Sequence, residues 1–456
     1  MSSAQRRGAA LRVVASLSAA YFVSQFFRSA NAVIAPELMR DLGLAPRALG
    51  LVTGAFFLAF GAFQIPVGVL LDRFGPRRVV PAMFSFAVAG ALVFAAADTA
   101  LGLALGRALM GVGCASAFMG GLVACARWFP PDRFATVSAS ILAAGGTGAL
   151  LSTTPLAFAA ETVGWRGAFV AMAGLTALVA ALVYAVVRDA PPEEGGAPAT
   201  DDPGAPPAAP PPRETLRGSL AGLREVFASP QVPGLLAMGF VAYPVFATVA
   251  TLWAGPYLAD VYGLDPVARG NALAIATVAT LAGTLGYGPL DRVFDSRKRV
   301  VIGGALATLA VLVILAAAPR LAVWQAVALL TLFGIVGVYS VMVLTHGRAS
   351  FPDRLVGRAV TTVNLAGFVG VAVFQAITGV IVEAFADPTT GAPVPAIAYR
   401  AVFAALAATI LVALFLYRRT TDIRPSTGLP RGRGKVRESE EGRTEGGWPP
   451  REDSNL

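Results

Sequence analysis

The stretch GVLLDRFGPRRVV, residues 68–80, concentrates charge between two apolar segments. LVTGAFFLAFGAFQIPV precedes it and VPAMFSFAVAGALVFAAA follows it, and neither contains a charged residue. Each flanking segment approaches the roughly 20 apolar residues that a helix needs to span a bilayer. The charges therefore mark a short turn between two predicted membrane-spanning helices, and they come from Asp72, Arg73, Arg77 and Arg78.

The whole chain has the composition of a protein with several membrane spans. Of its 456 residues, 56% are hydrophobic and 14% are charged, whereas a soluble domain carries about 25% charge. The 36 lysines and arginines outnumber the 27 acids, an excess that basic cytoplasmic loops explain without nucleic acid. Two cysteines and one histidine are too few for a usual zinc site or a disulfide framework. We therefore expect no nucleic-acid partner, no metal and no cofactor.

Apolar runs predict twelve transmembrane helices, six on each side of a long polar stretch. The fold class is therefore an all-α membrane protein built from two six-helix bundles. The predicted spans are 11–35, 48–70, 79–97, 101–126, 136–160, 166–187, 232–259, 270–289, 299–318, 322–346, 358–383 and 399–417.

The polar middle stretch predicts a cytoplasmic linker, because its Pro-, Gly- and Ala-rich composition cannot bury enough apolar surface to fold alone. Near its end, at 213–228, apolar side chains at helical spacing predict an amphipathic helix on the membrane surface: Leu216, Leu220, Leu223 and Phe227. The predicted organisation is a first bundle at 1–187, a linker at 188–231, a second bundle at 232–418 and a disordered cytoplasmic tail at 419–456.

The two halves of the sequence repeat each other. GVLLDRFGPRR is echoed by GYGPLDRVFDSRKR, which places Asp291 at the position of Asp72. WRGAF at 165–169 is echoed by YRAVF at 399–403. Echoes in the same order predict that the two bundles are pseudo-symmetric.

Loop charges predict the orientation. Fifteen arginines and lysines fall on the side of the N-terminus and six on the other, and basic loops stay in the cytoplasm. Both termini are therefore expected in the cytoplasm, in a multi-pass protein of a bacterial inner membrane.

The opening stretch resembles the signature loop of the major facilitator superfamily. The residues that match this signature are Gly68, Asp72, Arg73, Gly75, Arg77 and Arg78. The resemblance covers about residues 10–418. It implies a secondary transporter that works by alternating access, with a central cavity lined by helices 1, 4, 7 and 10.

Asp72 is the member of this loop that topology does not explain, because acids contribute little to orientation. A carboxylate at the end of a span can dock on the positive N-terminus of another helix. The resemblance implies that this neighbour is helix 11, which starts near Arg358, and that the contact breaks as the bundles rock. The predicted gating set is Gly68, Asp72, Arg73, Gly75, Arg77, Arg78 and Asp291.

Two arginines within predicted spans give a hypothesis for the substrate. Arg28 and Arg107 lie where a charge costs about 2.5–3.5 kcal/mol, and no acid lies in the interior of any predicted span. Arginine presents a donor fork suited to carboxylate or phosphate, so a bound anion is predicted to neutralise them. The alternative is contact with backbone carbonyls and water, which is the preferred interpretation for Arg107 but not for Arg28.

Other side chains are candidates for the cavity wall. Tyr21 and Gln25 share a helix face with Arg28. The candidates on the other helices are Gln64, Trp253, Tyr339, Asn364 and Gln375. Polar side chains also hold membrane helices together, so each of these stays open as a cavity residue or a helix contact. His346 is expected at a wet membrane edge.

The sequence thus predicts a transporter rather than an enzyme. Its glycine-rich segments lack the Gly-Lys-Ser/Thr of a phosphate-binding loop, so ATP is not expected to drive it. The predicted substrate is a small organic or inorganic anion of carboxylate or phosphate-ester type, moved by uptake or exchange. The alternatives are proton-coupled efflux of drugs or metabolites, for which a buried acid is missing, and a non-transporting membrane sensor. The expected partners are the substrate and the lipid bilayer, a coupling proton stays open, and we expect a monomer.

Overall fold

The computed structural model describes residues 3–190, 224–319, 321–387 and 392–426, and these are almost entirely helical. Within them, twelve helices are long and apolar enough to cross a membrane, which confirms the predicted number. In chain order they are α1 Gly8–Ser29, α2 Pro46–Phe74, α3 Pro76–Ala96, α4 Ala100–Trp128, α5 Asp132–Leu151, α6 Thr154–Val186, α7 Val232–Tyr262, α8 Pro266–Val293, α9 Arg297–Ala317, α10 Val323–Ala349, α11 Leu355–Glu383 and α12 Ala396–Tyr417.

The charged opening stretch forms the turn between α2 and α3. Gly75 has a φ of 74°, a backbone conformation that glycine adopts without the strain a side chain would add. Pro76 occupies the first position of α3, where its fixed φ suits a helix and its missing amide is not needed. We call the end of the molecule that carries this turn the basic end, and the end that carries the α1–α2 turn the opposite end.

The first span is longer than predicted. A helical extension at Asn31–Leu42 continues α1 past the predicted end at residue 35. Val33, Ile34 and Leu38 keep the helical period in this extension, and all three are buried. The extension carries the chain deep into the opposite end.

The predicted border between the fifth and sixth spans is also displaced. The predicted fifth span, 136–160, is interrupted after Leu151, and the helix that follows runs from Thr154 to Val186. Within it the chain turns at Gly164, whose φ is 75°. The turn at Gly164 therefore lies close to residue 166, where the sixth span is predicted to begin. The continuous helical hydrogen bonding, however, already begins at Thr154.

The arginines of the repeated WRGAF and YRAVF segments make equivalent hydrogen bonds in the two halves. Arg166 donates to the carbonyl of Ala97 at 2.9 Å, just beyond α3. Arg400 donates to the carbonyl of Ala316 at 2.7 Å, in the last turn of α9. Equivalent arginines thus satisfy orphan carbonyls at the ends of equivalent helices, which supports a first half of α1–α6 and a second half of α7–α12.

Glycines bring α2 and α11 together towards the opposite end. A Cβ on Gly50 would collide with the carbonyl of Gln375, and one on Gly61 would lie 2.8 Å from the Cβ of Phe368. Gly68 lies two turns from Gly61 on the same face of α2, and a Cβ there would meet no atom within 4 Å. The two helices therefore diverge towards the basic end.

The halves also meet at the opposite end through two other helix pairs. Gly255 of α7 packs so closely on Ala32 that an added Cβ would overlap the Ala32 carbonyl. Thr154 of α6 donates to the side-chain oxygen of Asn271 in α8 at 2.8 Å. The structure is thus closed at the opposite end.

The segment after α12 corrects the predicted start of disorder at residue 419. Residues 419–426 are described and pack against the basic end of the second half. The Thr421 amide donates to the side-chain oxygen of Gln231 at 2.8 Å. His346 is also corrected, because it is fully buried rather than wet and its ring contacts the Thr421 carbonyl at 3.0 Å.

The predicted linker lies mostly outside the described residues. The structure describes its first residues, up to 190, and a short helix at 224–228. The remainder of the predicted amphipathic helix is therefore left as an expectation.

Candidate substrate-binding site

Each of the four helices expected to line the cavity has an irregularity in its hydrogen bonding. α1 is interrupted at Ala30 and α4 at Ala115. α7 contains a π-helical turn at Val249–Trp253, and α10 contains a 3₁₀ turn at Gly337–Tyr339. Such departures occur often at functional sites, because they free backbone groups and redirect side chains. They mark the middle of these helices as the region in which to look for a site.

Arg28 lies between the two halves. Its Nη1 donates to the hydroxyl of Tyr243 in the second half at 3.4 Å. The centre of its guanidinium lies 4.6 Å from the ring centroid of Phe60 and 5.9 Å from that of Phe368. These rings attract the charge, but they do not accept hydrogen bonds from the N–H groups in the plane of the guanidinium. The Nε of Arg28 is buried and has no partner among the described residues. The group thus keeps donors that a ligand could use.

Gln25 and Tyr21 lie beside Arg28 on the same helix, as predicted. The side-chain oxygen of Gln25 is buried and has no hydrogen-bond partner among the described residues. Tyr21 packs on Phe118 of α4, with ring centroids 4.9 Å apart. Both pack directly on Gly145 of α5, where an added Cβ would collide with the Tyr21 ring. Gln25 therefore offers an acceptor for a hydroxyl next to a cation.

Gln64 and Asn364 flank this centre on the side of the basic end. They lie about one turn from Phe60 and Phe368, respectively, on α2 and α11. The two phenylalanine rings contact each other, with centroids 4.8 Å apart. Gln64 and Asn364 are both half-buried. They thus lie between this centre and the basic end.

Trp253 and Tyr339 do not line the cavity, and this part of the prediction is wrong. Both side chains are fully buried inside the second half. The Trp253 indole donates to the Thr378 hydroxyl at 2.8 Å. Tyr339 points to α9, where a Cβ on Gly304 would collide with it. Each therefore packs one helix against another instead of facing the first half.

Gln375 is likewise fully buried rather than exposed to a cavity. Its Nε2 donates to the Thr251 hydroxyl at 3.1 Å, which joins α11 to α7. Its side-chain oxygen has no partner among the described residues. In this conformation Gln375 belongs to the closed opposite end.

Arg107 lies inside the first half and contacts the backbone there. It is fully buried, and its Nη1 donates to the carbonyl of Phe27 at 2.6 Å. The guanidinium lies 4.6 Å from the centroid of Phe56. Arg107 thus ties α4 to α1 and α2 inside the first half, which is the backbone contact weighed as its alternative, although its Nε and Nη2 are buried without a partner among the described residues.

The predicted gating loop is partly anchored and partly free. The Arg77 amide donates to Asp189 at 2.9 Å, and the Arg77 Nε donates to the Tyr184 carbonyl at 3.1 Å. Gly75 leaves room for Asp189, since a Cβ there would collide with that carboxylate. Asp72 is exposed and docks on nothing in the described part of the chain. The contact predicted between Asp72 and α11 is therefore not seen among the described side chains in this conformation.

The remaining members of the predicted gating set lie in the same region without a contact between the halves. Arg73, placed over the ring of Phe74 at 5.0 Å, and Arg78 stay at the basic end of the first half. Asp291, the echo of Asp72, lies 3.5 Å from the Nε of Arg297. The two echoed acids thus differ, because Asp291 is engaged within its own half.

Sequence reasoning missed an ion pair at the opposite end. Arg269 of α8 donates to Glu37 of the α1 extension at 2.6 Å, and the two belong to different halves. Arg269 falls one residue before the predicted eighth span at 270–289. The apolar period of Val33, Ile34 and Leu38 was the signal that the first helix continues and carries Glu37 to this place.

The charges of the described spans are distributed in one pattern. The acids of the described spans lie near helix ends, as do Asp72, Asp260, Asp291 and Glu383, or beside the turn at Gly164, as does Glu161. Arg28 lies in the middle between the halves. The centre of the molecule is therefore positive, and an anion would be attracted to it.

Twelve apolar helices in two related halves, with a polar centre between them, define a membrane transport protein. The family model of the Major Facilitator Superfamily matches residues 17–374, and again 245–448. The chain belongs to this superfamily, as the signature loop predicted.

Relatives and a solved structure agree with this assignment. The probable galactarate/D-glucarate transporter GudP of Bacillus subtilis is 30% identical over 34% of this chain and 36% of its own length. The probable L-galactonate transporter of Escherichia coli is 26% identical over 78% of this chain and 79% of its own length. In three of the curated relatives, the segment that matches this chain spans 36% to 61% of the relative's own length. A bacterial homologue of the human lysosomal transporter Spinster shares the fold, with a TM-score of 0.73 at 18% identity over 91% of this chain and 97% of that one.

Proposed function

We propose that this protein is a secondary transporter for a small anion, with a hydroxylated carboxylate as the favoured cargo. The observation that carries the proposal is Arg28, a guanidinium between the halves with an unpartnered Nε. The weak 3.4 Å contact with Tyr243 is easily exchanged for a better acceptor. A carboxylate that reached this place would gain charge-assisted hydrogen bonds.

The neighbours of Arg28 favour a cargo that carries hydroxyl groups. Gln25 supplies an unpartnered acceptor, and Tyr243 supplies a hydroxyl at the same centre. Leaving such groups buried and unpaired costs about 1–3 kcal/mol each, so a ligand with hydroxyls is favoured over a plain inorganic ion. L-galactonate, which appears in the name of one relative, has this chemistry.

Alternating access would expose this centre to each side in turn. In the conformation described, the opposite end is closed and α2 and α11 diverge at the basic end. Since basic loops stay in the cytoplasm, we place the basic end and both termini there, and this conformation would then be that of an inward-open carrier in a bacterial inner membrane.

Exchange of anions is the favoured mode. An unpaired guanidinium in mid-membrane costs about 2.5–3.5 kcal/mol, and no acid in the middle of the described spans accompanies Arg28. A loaded carrier would therefore change conformation more readily than an empty one. Uptake in return for an outgoing anion follows from this.

Replacing Asp72 with alanine should reduce transport about tenfold while membrane insertion stays intact. The proposed reason is that Asp72 docks on the start of α11 when the basic end closes, a contact that is made only in that state. Uptake of L-galactonate into vesicles measures the effect. Asp132→Ala removes another exposed acid from the basic end and should transport normally. A normal rate for Asp72→Ala would contradict the docking role.

A thermal-shift screen of the purified protein tests the function directly. A ligand that binds the folded state stabilises it by about 2.7 kcal/mol at 100 times its Kd. L-galactonate, D-glucarate and other carboxylates should raise the unfolding temperature, whereas neutral sugars of the same size should not. A screen in which only neutral or cationic compounds stabilise the protein would refute an anion transporter.

A further inference from the structure

The halves are joined at the opposite end by one nearly buried ion pair. The side chains of Arg269 and Glu37 are 3% and 12% exposed, and their closest atoms are 2.6 Å apart. The same nitrogen of Arg269 donates to the carbonyl of Val33 at 2.9 Å. Both acceptors come from the α1 extension, so all of these bonds cross from one half to the other.

This ion pair leaves part of each side chain unused. The Nε of Arg269 and the second carboxylate oxygen of Glu37 are buried and have no partner among the described residues. An arginine fork binds a carboxylate best through two parallel hydrogen bonds. Glu37 thus holds Arg269 with one oxygen, in a place where a free carboxylate could bind with two.

The position of the pair ties it to the proposed transport cycle. It lies beside the close packing of Gly255 on Ala32 and the hydrogen bond between Thr154 and Asn271. Opening of the opposite end must separate these contacts, and with them Arg269 from Glu37. Arg269 would then lose its hydrogen-bonded carboxylate at the mouth that leads to Arg28, while Asp260 of its own half stays within electrostatic range.

We propose that Arg269 is the first anion-binding residue on the route from the opposite end, and that Glu37 replaces the substrate there when this end closes. The inference rests on the proposed anion transport and adds a second substrate contact to it. Glu37 acts as an internal competitor, because its carboxylate takes the place of the cargo's carboxylate on the same guanidinium. The pair therefore serves both as an entry site and as a closing contact.

This role predicts opposite effects for the two partners. Arg269→Gln removes the entry contact and should raise the KM for L-galactonate at the opposite end about tenfold, the loss expected for one charge-assisted bond. Glu37→Gln removes the competitor and should lower that KM at least twofold. The double variant should resemble Arg269→Gln, because Glu37 has no guanidinium to bind once Arg269 is replaced. If the ion pair only held the halves together, both single variants would shift this KM in the same direction.

The test measures L-galactonate uptake into right-side-out vesicles, and into inside-out vesicles as a comparison. From the basic end, where Arg269 is sealed off, each single variant should change KM less than twofold. Arg40→Gln is the matched control, since Arg40 is an arginine of the same end that is 74% exposed and pairs within its own half with Asp41. It should leave both KM values unchanged.

The outcomes separate this inference from the function on which it rests. KM shifts in the same direction for Arg269→Gln and Glu37→Gln, in a wild type that transports L-galactonate, would overturn the entry role and leave the transporter intact. An Arg40→Gln effect as large as that of Arg269→Gln would also overturn it, because general surface charge would then suffice. A wild type that takes up no L-galactonate counts against the proposed function itself.

Discussion

Arg28→Gln should weaken L-galactonate binding about ten- to hundredfold, the equivalent of the roughly 1.5–3 kcal/mol that a hydrogen bond to a charged group contributes. Arg28→Lys should also bind markedly more weakly, because an ammonium on a flexible stem cannot replace the planar fork. The expectation follows from the place of Arg28, whose donors face the space between the halves and lack strong acceptors. Equilibrium binding to the purified protein measures it.

The fold of the Arg28 variants should persist. Removal of an unpaired charge from the membrane interior does not destabilise a protein, so the unfolding temperature without ligand should equal that of the wild type. Arg12→Gln is the matched control, because Arg12 is an exposed arginine of the same helix, and its affinity should be unchanged. Equal affinities in the wild type and Arg28→Gln would remove Arg28 from the site.

The architecture could be predicted from the sequence because its determinants are local. A span requires only a run of apolar residues, and a turn such as that at Gly75 requires only glycine, proline and flanking charge. Pseudo-symmetry was visible because Arg166 and Arg400 lie in similar segments and cap equivalent helices. The predicted first span ends at residue 35, before the charged Glu37, although the neighbours of Glu37 keep the helical period.

The site was predicted less completely because its contacts join distant parts of the chain. Arg28 was found from its charge alone, but its partners Phe60, Tyr243 and Phe368 come from three other helices. Trp253 and Tyr339 were misplaced for a related reason. A helix of the second half is apolar on nearly every face, so the sequence does not indicate which face meets the other half.

Gly255→Ala should reduce the rate of transport at least tenfold without preventing membrane insertion. An added Cβ would overlap the backbone carbonyl of Ala32, and a backbone atom in a packed helix cannot move aside as a flexible side chain can. The opposite end could then no longer close as the structure shows it. Because both orientations are needed for each cycle, uptake of L-galactonate should fall to near background. Gly174→Ala is the control, since a Cβ at Gly174 meets no atom within 4 Å.

A thiol reagent distinguishes failed closure from misfolding. Thr248 is fully buried on the same face of α7, two turns from Gly255. Thr248→Cys should therefore react slowly in an otherwise unchanged protein, in which Cys114 and Cys125 are buried as well. When Gly255→Ala is added, the opposite end stays open to water and a membrane-impermeant reagent should modify the new cysteine many times faster. Normal transport by Gly255→Ala, or an unchanged reaction rate at Thr248→Cys, would show that the close packing on Ala32 is no part of the transport cycle.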